Sequence, residues 1–516
     1  MAEQSQSQLS PARSYMQVAE VFRGYAQRPT SPKPHLWKRY RAAVRYPFDE
    51  ADSLGRMLAA IYGLTRQRWQ AEAHAAGLKA DLLRPVPSGG GRYPCEVYLL
   101  IGAEQYLPAG VYYYDGAHHA LVQLRSGAQM AALQACVAQT NQAPALALLL
   151  SCRFWKTAWR YGEFSYRLHS LDIGVVIGQS LAVAATHDYH AQTYYHFCDA
   201  AANALIGCDG RRESVYAIVA LHTQDMPASR ADDPPSTPEI PAVLADDASD
   251  APLTVACEPD EQPDPLAQWP QLAALHAAAI RRTSTTPQSV PSVAAPPAQS
   301  SLALPPAASL DIAAGGARRR SARPGFVSGS ITTEQLALLL AAATVGYRND
   351  LDGRPSIVRH TLLYCAINQV DAVQPGVYRY CSQQHRLELI SAGEIRFALQ
   401  QTLRHPSHNM SALSLSIFPV TCYEVGFDAY GDRWYRVQNM EAGLLLQRLA
   451  LAAATLGLGS YISLAYHMDR AAQLLQLPAT YTTLAQIMIG HAACSGPSYE
   501  QPSAVALRKE RYDERA

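Results

Sequence analysis

The chain has 516 residues, with 43 Lys+Arg against 43 Asp+Glu, 17% charged and 48% hydrophobic residues. At roughly 150 residues per domain this is a globular composition for two or three domains, and the zero net charge excludes nucleic acid as the main partner, because no basic excess is there to displace counterions from phosphates. The opening MAEQSQSQLS lacks a basic region followed by an apolar core, and no apolar run reaches the roughly 18 residues of a spanning helix, so no membrane is expected and the expected location is cytoplasmic.

In chain order, the glycine turn Pro87-Ser88-Gly89-Gly90-Gly91-Arg92-Tyr93-Pro94 precedes a buried strand at 97–101. Further strands follow at 110–114 and 120–124, a helix at 127–139, and a long helix at 170–186 that is apolar on all sides. From 226 to 316 the chain is crowded with Pro, Ala, Ser and Asp, which predicts a mostly disordered linker with one helix near 272–282. Beyond it come Arg318-Arg319-Arg320-Ser321-Ala322-Arg323, a helix from about 332, strands at 362–367, 376–380 and 386–390, and helices at 393–404 and 439–456. This divides the chain into folded units at 1–225 and 317–496 and a charged tail at 497–516. Ten cysteines without a CxxC pair read as reduced thiols, no structural metal is expected, and His118 and His119, beside the Asp115-Gly116 turn, are expected at the surface.

The two units repeat each other. Gly110-Val111-Tyr112-Tyr113-Tyr114, followed by His119, Leu121, Gly127 and Leu133, recurs at the same spacing as Gly376-Val377-Tyr378-Arg379-Tyr380, followed by His385, Leu387, Gly393 and Leu399. Tyr161, Gly162, Glu163, Tyr166, Arg167, Asp172 and Gly174 recur as Tyr430, Gly431, Asp432, Tyr435, Arg436, Glu441 and Gly443. Each copy is therefore expected to be α+β, and two copies on one chain imply an intramolecular version of a two-fold dimer, a pseudo-dimer. The repeated Arg and carboxylate suggest an internal ion pair in each copy, Arg167 with Asp172 and Arg436 with Glu441.

Several residues could carry chemistry. The guanidinium forks and hydroxyl of 318–323 suit a terminal phosphate, although a basic surface patch has the same composition. The glycine turn lets backbone N–H groups approach a flat or anionic ligand, or is simply a flexible turn. Neither a P-loop nor a dinucleotide fingerprint is present. Trp155, Trp159 and Trp434 belong either to a substrate cleft or to the core.

The segments RPVPSGGGRYPCEVYLL, LPAGVYYYD and WRYGEFSYRLHSLDIG, with the Arg319–Arg323 run, resemble the SagB/ThcOx family of FMN-dependent dehydrogenases, a branch of the nitroreductase superfamily. The resemblance spans nearly all of the chain outside the linker. It implies two tandem nitroreductase-like domains and a flavin at their interface, with an arginine segment from one and a glycine-type turn from the other. The second copy keeps Arg319, Ser321 and Arg323 but replaces the turn by Pro355-Ser356-Ile357-Val358-Arg359; the first keeps the turn but has only Arg41-Ala42-Ala43-Val44-Arg45 in place of the arginine segment. The implied result is one composite FMN site from Arg319, Ser321 and Arg323 with Pro87, Ser88, Gly89 and Gly90, opposite a degraded one. The family's lysine-tyrosine pair is replaced by Arg160-Tyr161 and Ala429-Tyr430. Arginine is a poor base, so Arg160 is left to orient substrate or activate Tyr161, and a tyrosine, Tyr161 or Tyr430, or a water to take the proton. The implied activity is oxidation of azolines to azoles in a modified precursor peptide presented by cyclodehydratase-type partner enzymes, with dioxygen as electron acceptor. The alternatives are a generic NAD(P)H-dependent nitroreductase or flavin reductase, and a non-catalytic scaffold of a peptide-maturation complex.

Overall fold

The computed structural model describes residues 9–19, 34–41, 43–49, 51–71, 78–102, 107–137, 143–223, 253, 257–258, 264–282, 290–323, 325–351, 355–356, 360–493 and 498–502. Continuous runs of apolar and aromatic residues such as Cys95–Ile101, Leu146–Arg153 and Leu415–Thr421 form strands buried on both faces, the pattern of central strands covered by helices. In the first half the sheet runs Arg45–Pro47, Ala120–Ser126, Gly110–Asp115, Cys95–Ile101, Leu146–Arg153, Glu213–Thr223, Tyr189–Tyr194. The second half repeats this order with Ser300–Ala303, Arg386–Ala392, Gly376–Cys381, Leu362–Ile367, Leu415–Thr421 and Gln486–Ala492, and Gly459–Ser463 beside the last.

The repetition extends to local irregularities. A register shift falls between Val111 and Tyr112 in one copy and between Val377 and Tyr378 in the other. Tyr112 donates to the Pro108 carbonyl and Tyr378 to that of Gln374, and the Tyr114–His119 hydrogen bond recurs as Tyr380–His385. This corrects the surface assignment of His119: it is buried, its ring held against the Tyr114 hydroxyl, whereas His118 is exposed and pairs with Asp115.

Two long helices, Ser165–Ala185 and Arg433–Thr455, form the centre of the molecule and are buried almost throughout. The continuous helical stretch 154–185 is long and apolar enough to cross a membrane by composition, which the sequence reading had not registered, but it lies mostly inside the protein. The helices cross at Gly174 and Gly443. A Cβ on Gly174 would stand 1.9 Å from the Met440 carbonyl oxygen, and one on Gly443 2.2 Å from that of Leu171. Hydrogen on the α-carbon thus lets two backbones approach closer than any side chain allows. Farther along, the Gln447 side-chain amide donates to that of Gln179 at 2.7 Å, and one hydrophobic core runs through both halves.

The expected internal ion pairs do not form. Arg167 donates instead to the carbonyls of Thr483 and Leu484 in the other half, and Arg433 and Arg436 both bond Asp199 of the first half, at 2.5 and 3.0 Å. Burial alone would raise the Asp199 carboxyl, but the two guanidinium groups outweigh it and hold it below its ordinary value. These residues lock one half to the other rather than each helix to itself.

Of the segment expected to be a mostly disordered linker with one helix near 272–282, the described residues include that helix and pack on both halves. Pro265–Gln268 and Pro270–Ala279 are helices, with Leu272, Leu275 and Ala279 buried on one face. The carboxylate of Glu163 accepts from the N–H groups of Gln271 and Leu272 at the start of the second, neutralising donors that the helix cannot satisfy itself. Ser300–Ala303 adds an edge strand to the second sheet. The Pro-rich run 226–252 lies outside the described residues. The expected tail begins as a strand, Ser498–Pro502, paired with Arg66–Ala71 of the first half; 503–516 lie outside the described residues.

Because alanine is ordinarily the better helix former by ~1 kcal/mol, the crossing predicts a reversal of sign. Gly174→Ala should destabilise the protein by about 1–3 kcal/mol, read as a lower urea midpoint; a rise in the midpoint would show that the helices are not in contact there.

Candidate active site between the two halves

A cavity of about 1660 Å³ opens between the halves. The first half contributes the glycine turn, the hairpin strands Arg66–Ala71 and Leu78–Leu83, Arg160, Tyr161 and Asp172; the second contributes 318–323 and the strand after its long helix. Pro87, Ser88, Gly89, Gly90, Arg160, Tyr161, Arg319, Ser321 and Arg323 thus share one cavity, although the two groups of residues are far apart in sequence.

The turn is held from behind. Ser88 Oγ donates to Asp172 Oδ2 at 2.6 Å and accepts from the Tyr93 N–H at 2.8 Å, while the Gly89 N–H donates to the same carboxylate at 3.2 Å. Asp172 therefore pairs with the glycine turn and not with Arg167, the partner expected from the sequence. Burial pushes its carboxyl up to about 7 despite the Ser88 and Gly89 hydrogen bonds. Gly90 is left-handed at φ 61, and a Cβ there would come within 2.5 Å of the Tyr161 hydroxyl oxygen, so the tyrosine sits directly on the turn.

The arginine segment is ordered by the second half: the Ala322 N–H donates to the Ser460 carbonyl, continuing a parallel bridge at Ser321. Its members divide the work. Arg319 is buried, its Nε donating to the Pro85 carbonyl at 2.6 Å, so it is a strut joining the segment to the glycine turn; burial pushes its guanidinium down to about 10. Arg318, Ser321 and Arg323 line the cavity beside it.

Tyr430 is not part of this cavity. It is buried, its hydroxyl donating to the Leu351 carbonyl and its ring packed on Trp434. At the place that mirrors the cavity the described residues form backbone pairing: Tyr347–Asn349, which follows the helix Thr333–Thr344, adds in parallel to Tyr189–Tyr194. Tyr347 donates to Glu441, and Asp350 accepts from the N–H groups of Tyr195 and His196. The corresponding strand of the first half, Arg66–Ala71, pairs instead with its own hairpin and with Ser498–Pro502, which leaves the other side open.

Arg41–Arg45 also differs from expectation. Arg45 begins a strand on Ala120–Ser126 at the far edge of the first sheet, the edge that Ser300–Ala303 occupies in the second, and is paired with Asp115; Arg41 pairs with Glu258. The RxxxR pattern had suggested an eroded phosphate segment because a spacing carries no information about which sheet edge it joins. Trp155 and Trp434 are core residues, and Trp159 lies beneath Arg92, whose guanidinium is 5.2 Å from its ring. The sequence reading gave Arg92 no role beyond its place in the glycine turn and missed Arg404, His405, Gly457, Leu458, Gly459, Tyr461 and Ile462, all on the cavity wall. The GLGSY run directly after the long helix was a visible signal, since a glycine pair at a helix end marks a sharp turn.

The raised Asp172 carboxyl makes the turn sensitive to pH. The folded protein keeps a proton that the unfolded chain releases, so this group's contribution makes stability fall as pH rises from about 4, the unfolded value, to about 7, and level off above that. Asp350, also raised to about 7, acts in the same window. Asp172→Asn should make the fall shallower by at most ~1.4 kcal/mol per pH unit in urea titrations at several pH values; a slope equal to wild type would place the carboxylate in water.

Residues 317–491 match the nitroreductase family model. A trifolitoxin-processing protein of Rhizobium leguminosarum bv. trifolii is 27% identical over 151 residues, 28% of this chain, and the match spans only 40% of that protein. A nitroreductase-type protein of Methanocaldococcus jannaschii is 27% identical over 168 residues, 31% of this chain and 81% of its own. Among solved structures, a nitroreductase-type protein of Anabaena variabilis superposes with a TM-score of 0.73 at 22% identity, over 94% of this chain and 100% of its own, so the same fold extends across both halves. Residues 317–491 are thus a nitroreductase-family domain, and the likeness to the Anabaena variabilis protein shows the same fold across both halves.

Proposed function

We propose that the protein is an FMN-dependent dehydrogenase of the SagB type that binds one flavin per chain and oxidises azolines to azoles in a modified peptide. The observation that supports this reading is the asymmetry of the fold: a glycine turn from one half and an arginine segment from the other meet in one cavity, while at the mirror position Tyr347–Asn349 pairs with Tyr189–Tyr194.

The cavity fits the cofactor. Arg318, Arg323 and Ser321 offer charge-assisted donors for a terminal phosphate, and a Cβ at Gly91 would meet nothing within 4 Å, so the turn presents bare backbone to a flat ring. When bound, FMN supplies the two-electron acceptor, with dioxygen as the expected final acceptor. The protein's share is orientation and proton transfer. Tyr161 stands on the turn, with the Arg160 guanidinium 5.6 Å from its ring, and is placed to take the proton that leaves with the azoline C–H. The kinship with a trifolitoxin-processing protein supports a peptide substrate, and with it partner enzymes that install the heterocycle.

One experiment tests both parts. Arg323→Ala should weaken FMN binding at least ~tenfold, the loss of a charged hydrogen bond, whereas Arg45→Ala at the far sheet edge should leave it unchanged. The flavin-loaded wild type in air should convert a thiazoline peptide to a product lighter by two hydrogens in mass spectrometry. Equal losses of flavin in the two variants, or an unchanged peptide mass with flavin bound, would contradict the assignment.

A further inference from the structure

The cavity is far more basic than the chain. Ten arginines line it against two aspartates, in a protein whose charges balance. At about 1660 Å³ it also exceeds the roughly 300–1,000 Å³ of an ordinary cofactor or small-molecule pocket. A flavin phosphate would engage the 318–323 end; it would not account for Arg92 and Arg160, which come from the opposite half and flank Tyr161.

We propose that Arg92 and Arg160 form an anion-binding subsite beside Tyr161, and that the substrate peptide carries acidic side chains next to the residue that reacts. This rests on the flavin reading of the cavity and adds the charge of its substrate. The Arg92 Nε is buried without a hydrogen-bond partner among the described residues. Its guanidinium lies on the Trp159 ring, which fixes its direction. Its pKa is held down first by burial and then by the like charge of Arg160, while the nearby carboxylate, Asp81, is committed to Arg68 at 2.8 Å. Two guanidinium groups so placed repel each other, and an incoming carboxylate relieves that repulsion. On the second half's wall Arg404, its Nε donating to the Tyr466 carbonyl, adds a further guanidinium to the lining, so positive charge is spread over both walls, as an extended chain rather than a single small anion would require.

The test compares a Glu-rich peptide carrying an uncharged dye with its Gln-for-Glu counterpart, by fluorescence anisotropy on the flavin-loaded full chain. The Glu-rich peptide should bind about tenfold tighter, and the difference should shrink as salt rises from ~0.05 to ~0.3 M. Arg92→Gln should remove the difference while flavin content stays at the wild-type level, and Arg92→Lys should retain most of it. Equal affinities for the two peptides in the wild type would overturn the proposal, and that comparison decides alone if the variant fails to fold. A difference that survives Arg92→Gln would also overturn it, by placing the anion elsewhere, as would NADPH displacing the Glu-rich peptide in an Arg92-dependent way, which would make the subsite a nucleotide site. A protein that holds no flavin would instead defeat the underlying functional reading, which the absorbance of the same sample reports separately.

Discussion

The close crossing of two buried helices is the constraint on which the molecule depends. Where Gly174 and Gly443 meet, each backbone runs against the other's carbonyl groups, and no residue with a Cβ fits. From that contact everything else follows by geometry. The helix Ser165–Ala185 carries Asp172 to the back of the glycine turn, and the strand that follows Arg433–Thr455 holds the arginine segment through Ser460. A two-fold arrangement of this kind would make two equivalent cavities in a dimer of identical chains.

Joining the copies on one chain removes that equivalence. In the proposed reading, with one site per molecule, each half has to supply only its own part of that site. At the mirror position the described residues instead satisfy one another through strand and side-chain hydrogen bonds. Tyr347–Asn349 completes the ladder of Tyr189–Tyr194 there, and Tyr347, Glu441 and Asp350 pair off the polar atoms. On the open side the matching strand turns outward to Ser498–Pro502, which is what keeps the cavity accessible.

The repeated motifs, the positions of several strands in each copy and the two segments that share the cavity were legible because they rest on spacing, and spacing survives as register: His119 and His385, or the shifts after Val111 and Val377, sit at matching places. What could not be read was partnership across the halves. Arg436 is 237 residues from Asp199, and no local pattern points from one to the other. The nearer Glu441 looked the better partner until the helix direction placed it against Tyr347. The helix expected near 272–282 is present as Pro270–Ala279, but the partners that pack it were hidden for the same reason. Pro270–Ala279 is helical because Glu163 and a hydrophobic face of the first half receive it, and composition alone reports only the absence of a core of its own. Asp172 was placed correctly on its helix but given the wrong partner, so its hold on Ser88 emerged only from the structure.

The central claim is that one flavin lies where the two halves complement each other. Its most direct test is the visible spectrum of the purified full chain, with released flavin quantified against protein. The account predicts one FMN per chain, lost on substitution of the arginine segment. A protein that takes up two flavins per chain, or one that remains colourless with excess FMN, would contradict it.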